Sequence, residues 1–173
     1  ADNDYIQYFR FWARVHNKLI VYTEPELKDV VMQIRAEYDL ESRTTVIVVN
    51  DIRQLDLEIF NMMQRVLSNS LAVNYRVEAN HPEAYSAKYN YVMYLKPLLI
   101  CDAIEKNLAK GMIAWSDFGF NHGGEYYTSP AEFDFLWMSN MEKKINLFAI
   151  RELDDTPIFE IVRTMETYIT GGI

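Results

Sequence analysis

Two short apolar runs bracket a helical stretch near the start of this chain, and that arrangement constrains its fold more than any other feature. "KLIVYT" (18–23) is a short apolar run closed by Thr. "TTVIVVN" (44–50) is β-branched through its core, as expected of a strand buried on both faces. Between them, Thr23-Glu24-Pro25-Glu26 matches a capping box: the Thr hydroxyl accepts from an amide three residues on, and Glu26 reaches back. Pro is tolerated in a first helical turn. Leu27, Val30, Val31, Ile34 and Tyr38 then form one apolar stripe. The spacing predicts strand 18–22, helix 24–38 and strand 44–50.

The rest continues the alternation. Tyr5, Phe9 and Trp12 recur at helical spacing and predict an amphipathic helix over 3–15. Ile59, Phe60, Met63 and Leu67 predict another. The segment 88–108 is too long and apolar for a strand, and Pro97 inside it implies a kink or a second helix starting there. Further strands are expected at 112–116, 145–150 and "TYITGGI" (167–173), with a short helix over 157–165. Helices alternating with apolar strands imply an α/β, Rossmann-like, mostly parallel sheet flanked by helices.

Composition limits what the chain can bind. With 173 residues, half of them hydrophobic, it can build one compact core, and length alone argues for a single domain over 1–173. A net charge of −8 opposes non-specific nucleic-acid binding, which needs basic surface to displace counterions. The single cysteine, Cys101, excludes an intrachain disulfide, and its apolar neighbours predict a buried thiol. No apolar run approaches the ~20 residues that span a bilayer, and the acidic N-terminus is unlike a signal peptide. The chain starts on a helix and ends on a strand running into glycines, so both ends read as cut from a longer protein.

In open α/β sheets, ligands bind beyond the carboxyl ends of the strands. That rule selects Thr23 and Glu24, Asn50 and Asp51, Asp117 with Gly119, and Gly171-Gly172. Asp117 leaves the expected strand 112–116 and can hold Mg or Mn, accept from a ribose hydroxyl, or simply cap a turn. Gly119 permits close approach of a backbone or ligand. Asn121 and His122 add oxygen and nitrogen donors for a cation. Lys96 precedes Pro97; a helix starting there would put it at the positive end, suited to phosphate, while the alternative is a lysine stem packed on apolar surface. The letters D-F-G at 117–119 lack the H-R-D and glycine-rich loops that a kinase needs. P-loop, G-x-S-x-G and H-E-x-x-H patterns do not occur.

"YFRFWARVHNKLIVYTE", "YNYVMYLKPLLICDAI", "AWSDFGFNHG" and "YITGGI" together resemble the bacterial HtrL/YibB family. That family looks related to glycosyltransferases of the GT-A fold and is associated with surface-polysaccharide and lipopolysaccharide loci. The resemblance implies sugar transfer from a nucleotide-sugar donor to a glycan or lipid-linked acceptor, in the cytoplasm or peripheral to the inner membrane. It implies a divalent cation, Mn or Mg, with Asp117 as the acidic motif, Lys96 as the basic residue facing the diphosphate, and Gly171-Gly172 near the acceptor. The sequence departs from the D-x-D pattern at Gly119, where a second acid would stand; Asn121 or His122 would then supply a missing ligand. The strand that usually opens a GT-A fold also lacks a counterpart here. A scaffold that binds nucleotide sugar or glycan without transferring it is the alternative.

Overall fold

The computed structural model of the chain describes residues 2–77, 79–124 and 126–169. The described residues form two compact units, one from 2–50 and 100–143, the other from 51–99 and 144–169.

The first unit contains the strand–helix–strand motif. Helix α1 (Asp2–Trp12) precedes β1 (Leu19–Thr23), a 3-10 turn (Pro25–Leu27), α2 (Lys28–Ala36) and β2 (Thr44–Val48). The two strands pair in parallel, from Leu19 opposite Thr44 to Thr23 opposite Val48. The Val49 amide extends the ladder by donating to the Thr23 carbonyl at 2.8 Å. That pairing accounts for one departure from expectation. Thr23 belongs to the ladder, so the cap falls to Glu24, whose side chain makes no capping hydrogen bond. The Thr23 capping box does not form, although Pro25 does occupy the first turn.

Phe9, Trp12, Ala13 and Val15 pack with Val31, Ile34 and Phe133 into one core. Burying side chains of this size supplies about 1.5–3 kcal/mol each. Arg35, fully buried, sits among them. Its guanidinium donates to the carbonyls of Ala13, Val15 (2.7 Å) and Asn17 (3.0 Å), and its Nε donates to the Thr44 hydroxyl at 2.9 Å. Burial lowers its pKa to about 10, with the Arg43 charge adding to the effect. These carbonyls lie just past the last turn of α1, where the helix dipole favours a cation. One side chain therefore closes α1 and fixes the path from it into β1.

The second unit contains α3 (Leu57–Leu67), α4 (Ser70–Tyr75), α5 (Pro82–Tyr85) and α7 (Ile158–Thr164). It also holds the greater part of α6 (Ala87–Glu105), whose residues from Ile100 onward belong to the first unit. Asp56 caps α3 by accepting from the Ile59 amide at 3.1 Å, and the Asp56 amide donates to the Tyr91 hydroxyl at 2.7 Å.

The fold is mixed α/β, with a smaller sheet than the alternation implied. β1 and β2 form a two-stranded sheet among the described residues. Residues 112–116 make no strand, and 145–150 contribute a single antiparallel bridge, Ala149 to Ile169. A short apolar run becomes a strand only when a neighbour offers it a ladder, and neither run finds one. The end of "TYITGGI", with Gly171-Gly172, lies outside the described residues. Helix α6 runs unbroken through Pro97, so no second helix begins there. Cys101 is exposed rather than buried, because it faces outward from α6 despite its apolar neighbours. No helix among the described residues is long and apolar enough to cross a membrane.

Candidate functional site

The stretch from Trp115 to Gly124 is irregular yet tightly held within the first unit. Three successive turns shape it: the Phe120 amide donates to the Asp117 carbonyl (2.9 Å), His122 to Gly119 (3.1 Å) and Gly124 to Asn121 (2.9 Å). Helix α1 anchors it from one side. The Phe118 ring stacks on Phe9 with centroids 4.4 Å apart, and the Trp12 indole donates to the Phe118 carbonyl at 3.3 Å. From the other side Asn121 serves as a clamp. Its Oδ1 accepts from the Tyr126 and Tyr127 amides at 2.8 and 2.7 Å, and its Nδ2 donates to the Tyr127 carbonyl at 2.9 Å.

Asp117 emerges from this frame half-buried, and its Oδ1 accepts from the Trp115 indole at 2.7 Å. It stands on a turn and not at a strand end, since 112–116 has no ladder. Gly119 is buried, and a Cβ there would come within 2.9 Å of the Tyr5 ring. The close approach foreseen at Gly119 is thus made by a ring of α1. Asn121 is 1 % exposed and its amide is committed to the chain, so it builds the loop and is not available to a cation. His122 is exposed, and its ring lies 5.5 Å from that of Tyr8.

The remaining expected residues are dispersed. Asn50 is exposed just beyond β2. Asp51 caps the 3-10 turn Ile52–Gln54, binding Arg53 through its backbone amide (3.0 Å) and guanidinium (2.8 Å). Those hydrogen bonds hold its carboxyl below the ordinary range. Lys96 is buried in the interior of α6, in the second unit, whereas Asp117 belongs to the first. With α6 continuous, Lys96 is not at a helix N-terminus and has no free first-turn amides beside it.

The donor set can be tested against a resident cation. Mg and Mn take several oxygen ligands, often with substrate phosphates completing the shell. No three His, Cys, Asp or Glu residues converge to hold a metal among the described residues. With Asn121 committed, Asp117 and the exposed His122 remain, too few ligands for a metal site made by the protein alone.

Two clusters went unread in the sequence. Tyr22, in β1, donates to Asp102 Oδ2 at 2.6 Å, and Lys106 donates to the same oxygen at 2.7 Å. Burial and then the Asp102 hydrogen bond raise the Tyr22 pKa, while Lys106 and Tyr22 lower that of Asp102. The Asp102/Lys106 spacing of four on a helix was the available signal. In the second cluster, Asp134 accepts from Arg14 at 2.6 Å and pairs with His16 Nε2 at 2.8 Å. The His16 hydrogen bond, then the Arg14 charge, lowers the Asp134 pKa. These partners are 118 and 120 positions apart, and no local pattern links them.

The chain is 28% identical over 176 residues to Protein HtrL of Escherichia coli (strain K12). The match covers 97% of this chain but 59% of that relative, so the chain spans little more than half the relative's length. No solved structure matches it. The model of the family described as "Bacterial protein of unknown function (HtrL_YibB)" matches residues 2–173, and the chain therefore belongs to the HtrL/YibB family.

Proposed function

We propose that this chain carries the nucleotide-sugar-binding part of a GT-A type glycosyltransferase, one that moves a sugar onto a bacterial surface glycan such as a lipopolysaccharide precursor. The observation that supports it most is Asp117, a half-buried carboxylate fixed by Trp115 on a loop clamped from both sides. A preorganised acceptor of this kind suits ribose or sugar hydroxyls, because little motion is lost when the ligand arrives. The parallel β1–α2–β2 unit lends support to a Rossmann-like reading, with exposed Asn50 at the carboxyl end of β2. Lys96 has no part in the reading. A divalent cation would enter with the donor diphosphate, and no step is assigned to it. Because nucleotide sugars are made in the cytoplasm, the proposal locates the work there, at or near the inner membrane.

Calorimetric titration with UDP- and GDP-sugars, with and without Mn, tests the reading. Micromolar to low-millimolar binding that Asp117→Asn weakens at least tenfold is expected. Silence across the panel overturns it. A second reading, binding without transfer, is favoured by Gly119: the Tyr5 ring occupies the space that a second acid would need. Donor binding without sugar release or transfer to any glycan acceptor would select it.

A further inference from the structure

Tyr5 and Tyr8 stand one helical turn apart on α1, and their rings meet edge to face at 5.8 Å and 68°. His122 continues the row at 5.5 Å and 50° to Tyr8. Tyr5 is 55% exposed, and His122 is exposed as well. The backbone holds His122 in place at a cost. Asn121 and His122 both adopt left-handed conformations, with φ of 65° and 43°. Asn121 is compensated by its own three hydrogen bonds. His122 is not glycine, and such a conformation costs of order 1 kcal/mol or more. Its ring meets Tyr8, and that contact alone does not account for the strain. The Tyr5 ring also lies against Gly119, two residues from Asp117, so the ring row and the Asp117 turn are continuous.

We infer that Tyr5, Tyr8 and His122 form a stacking shelf for the face of one pyranose ring, the sugar of a donor or acceptor glycan. The inference rests on the glycosyltransferase reading and names the group that the Asp117 region takes. Ring faces carry partial negative charge and attract the polarised C–H bonds of a sugar. A planar base can also stack on one of these rings, so the UDP arm of the titration separates the two ligands. Three partly exposed rings present roughly 400 Å² at most, well below the ~800 Å² per side of a stable protein interface. Asp117 would accept from hydroxyls at the edge of the bound ring.

The test follows tyrosine and histidine ring resonances by NMR during titration with methyl β-D-glucopyranoside, methyl β-D-galactopyranoside, methyl α-D-mannopyranoside and, separately, UDP. At least one glycoside should move the Tyr5, Tyr8 and His122 signals. Tyr8→Ala and His122→Ala should each weaken that binding about tenfold, and Tyr8→Phe should retain it within about twofold. Unchanged tryptophan signals from Trp12 would establish that the variants are folded. No response to any glycoside, a response indifferent to the variants, or movement of these rings by UDP alone overturns the shelf. If UDP-sugars bind through Asp117 while the rings stay still, the shelf falls and the transferase reading stands. If glycosides bind on the rings while every nucleotide sugar is silent, the shelf stands and the transferase reading falls.

Discussion

The two units hold their irregular segments by different means. The first uses buried hubs. Arg35 gathers the carbonyls of residues 13–17, and Asn121 gathers the backbone of 126 and 127; both are almost fully enclosed. In the second, residues 151–168 are held mainly at the surface: Arg151 binds Glu166, and the buried Tyr168 donates to the exposed Asp154 at 2.7 Å. A buried polar hub tolerates few alternative geometries, because an unmet hydrogen bond away from water costs about 1–3 kcal/mol. An exposed pair exchanges readily with water and contributes about 0–1 kcal/mol. The loop proposed to take the ligand, around Asp117, is held in the first way.

Replacing a hub should therefore have the largest effect. Arg35→Met leaves three carbonyls unmet and should destabilise the first unit by on the order of 5 kcal/mol, read as lost amide protection around residues 13–17 and β1. A loss below about 1 kcal/mol would break the contrast. Phe9→Ala, removing a ring shared by the core and the Phe118 stack, should cost about 3–5 kcal/mol by chemical denaturation. In the second unit, Tyr91→Phe removes the acceptor of the Asp56 amide and should cost about 1 kcal/mol. Gly119→Ala forces its new methyl onto Tyr5 and should cost about 1–3 kcal/mol, most of it recovered in the Gly119→Ala/Tyr5→Ala double variant. Failure of that recovery would mean that Tyr5 is not what excludes a side chain at 119.

Acid should produce the smallest change. The hydrogen bonds from Thr156 and then Tyr168 hold the Asp154 carboxyl down at about 2, below its ordinary 3.8. A depressed folded value means that the contribution is complete above the ordinary value and is lost as pH falls through about 2. Amide protection near Thr156 and the Ala149–Ile169 bridge should decline only in that window. Loss already near pH 5 would show that Asp154 does not tether the segment.

Legibility in the sequence followed the range of the interactions. β1, α2 and β2 could be read because β-branched runs and a helical stripe are local patterns. Helices α1, α3, α6 and α7 were legible for the same reason, within a few residues at their ends. The expected strand at 112–116 failed because a strand needs a partner, and its four apolar residues say nothing of where that partner is. The alternatives for Lys96 stayed open in the sequence because a proline within a helix and a proline opening one look alike over a few residues; α6 runs through Pro97. Among the candidate site residues, Asp117 is held half-buried on a turn by Trp115, whereas Asn121 is a clamp on the loop.

By itself, the sequence determined the family, through blocks spread along the chain, and the parallel strand–helix–strand unit and the turn-forming character of 117–124, which depend on residues close together in the chain. Tertiary structure alone decided that Arg35 closes α1, that Asp134 joins Arg14 and His16, and that the ring of Tyr5 fills the space beside Gly119. Each joins partners 18 to 120 positions apart, brought together by core packing and recorded in no local pattern.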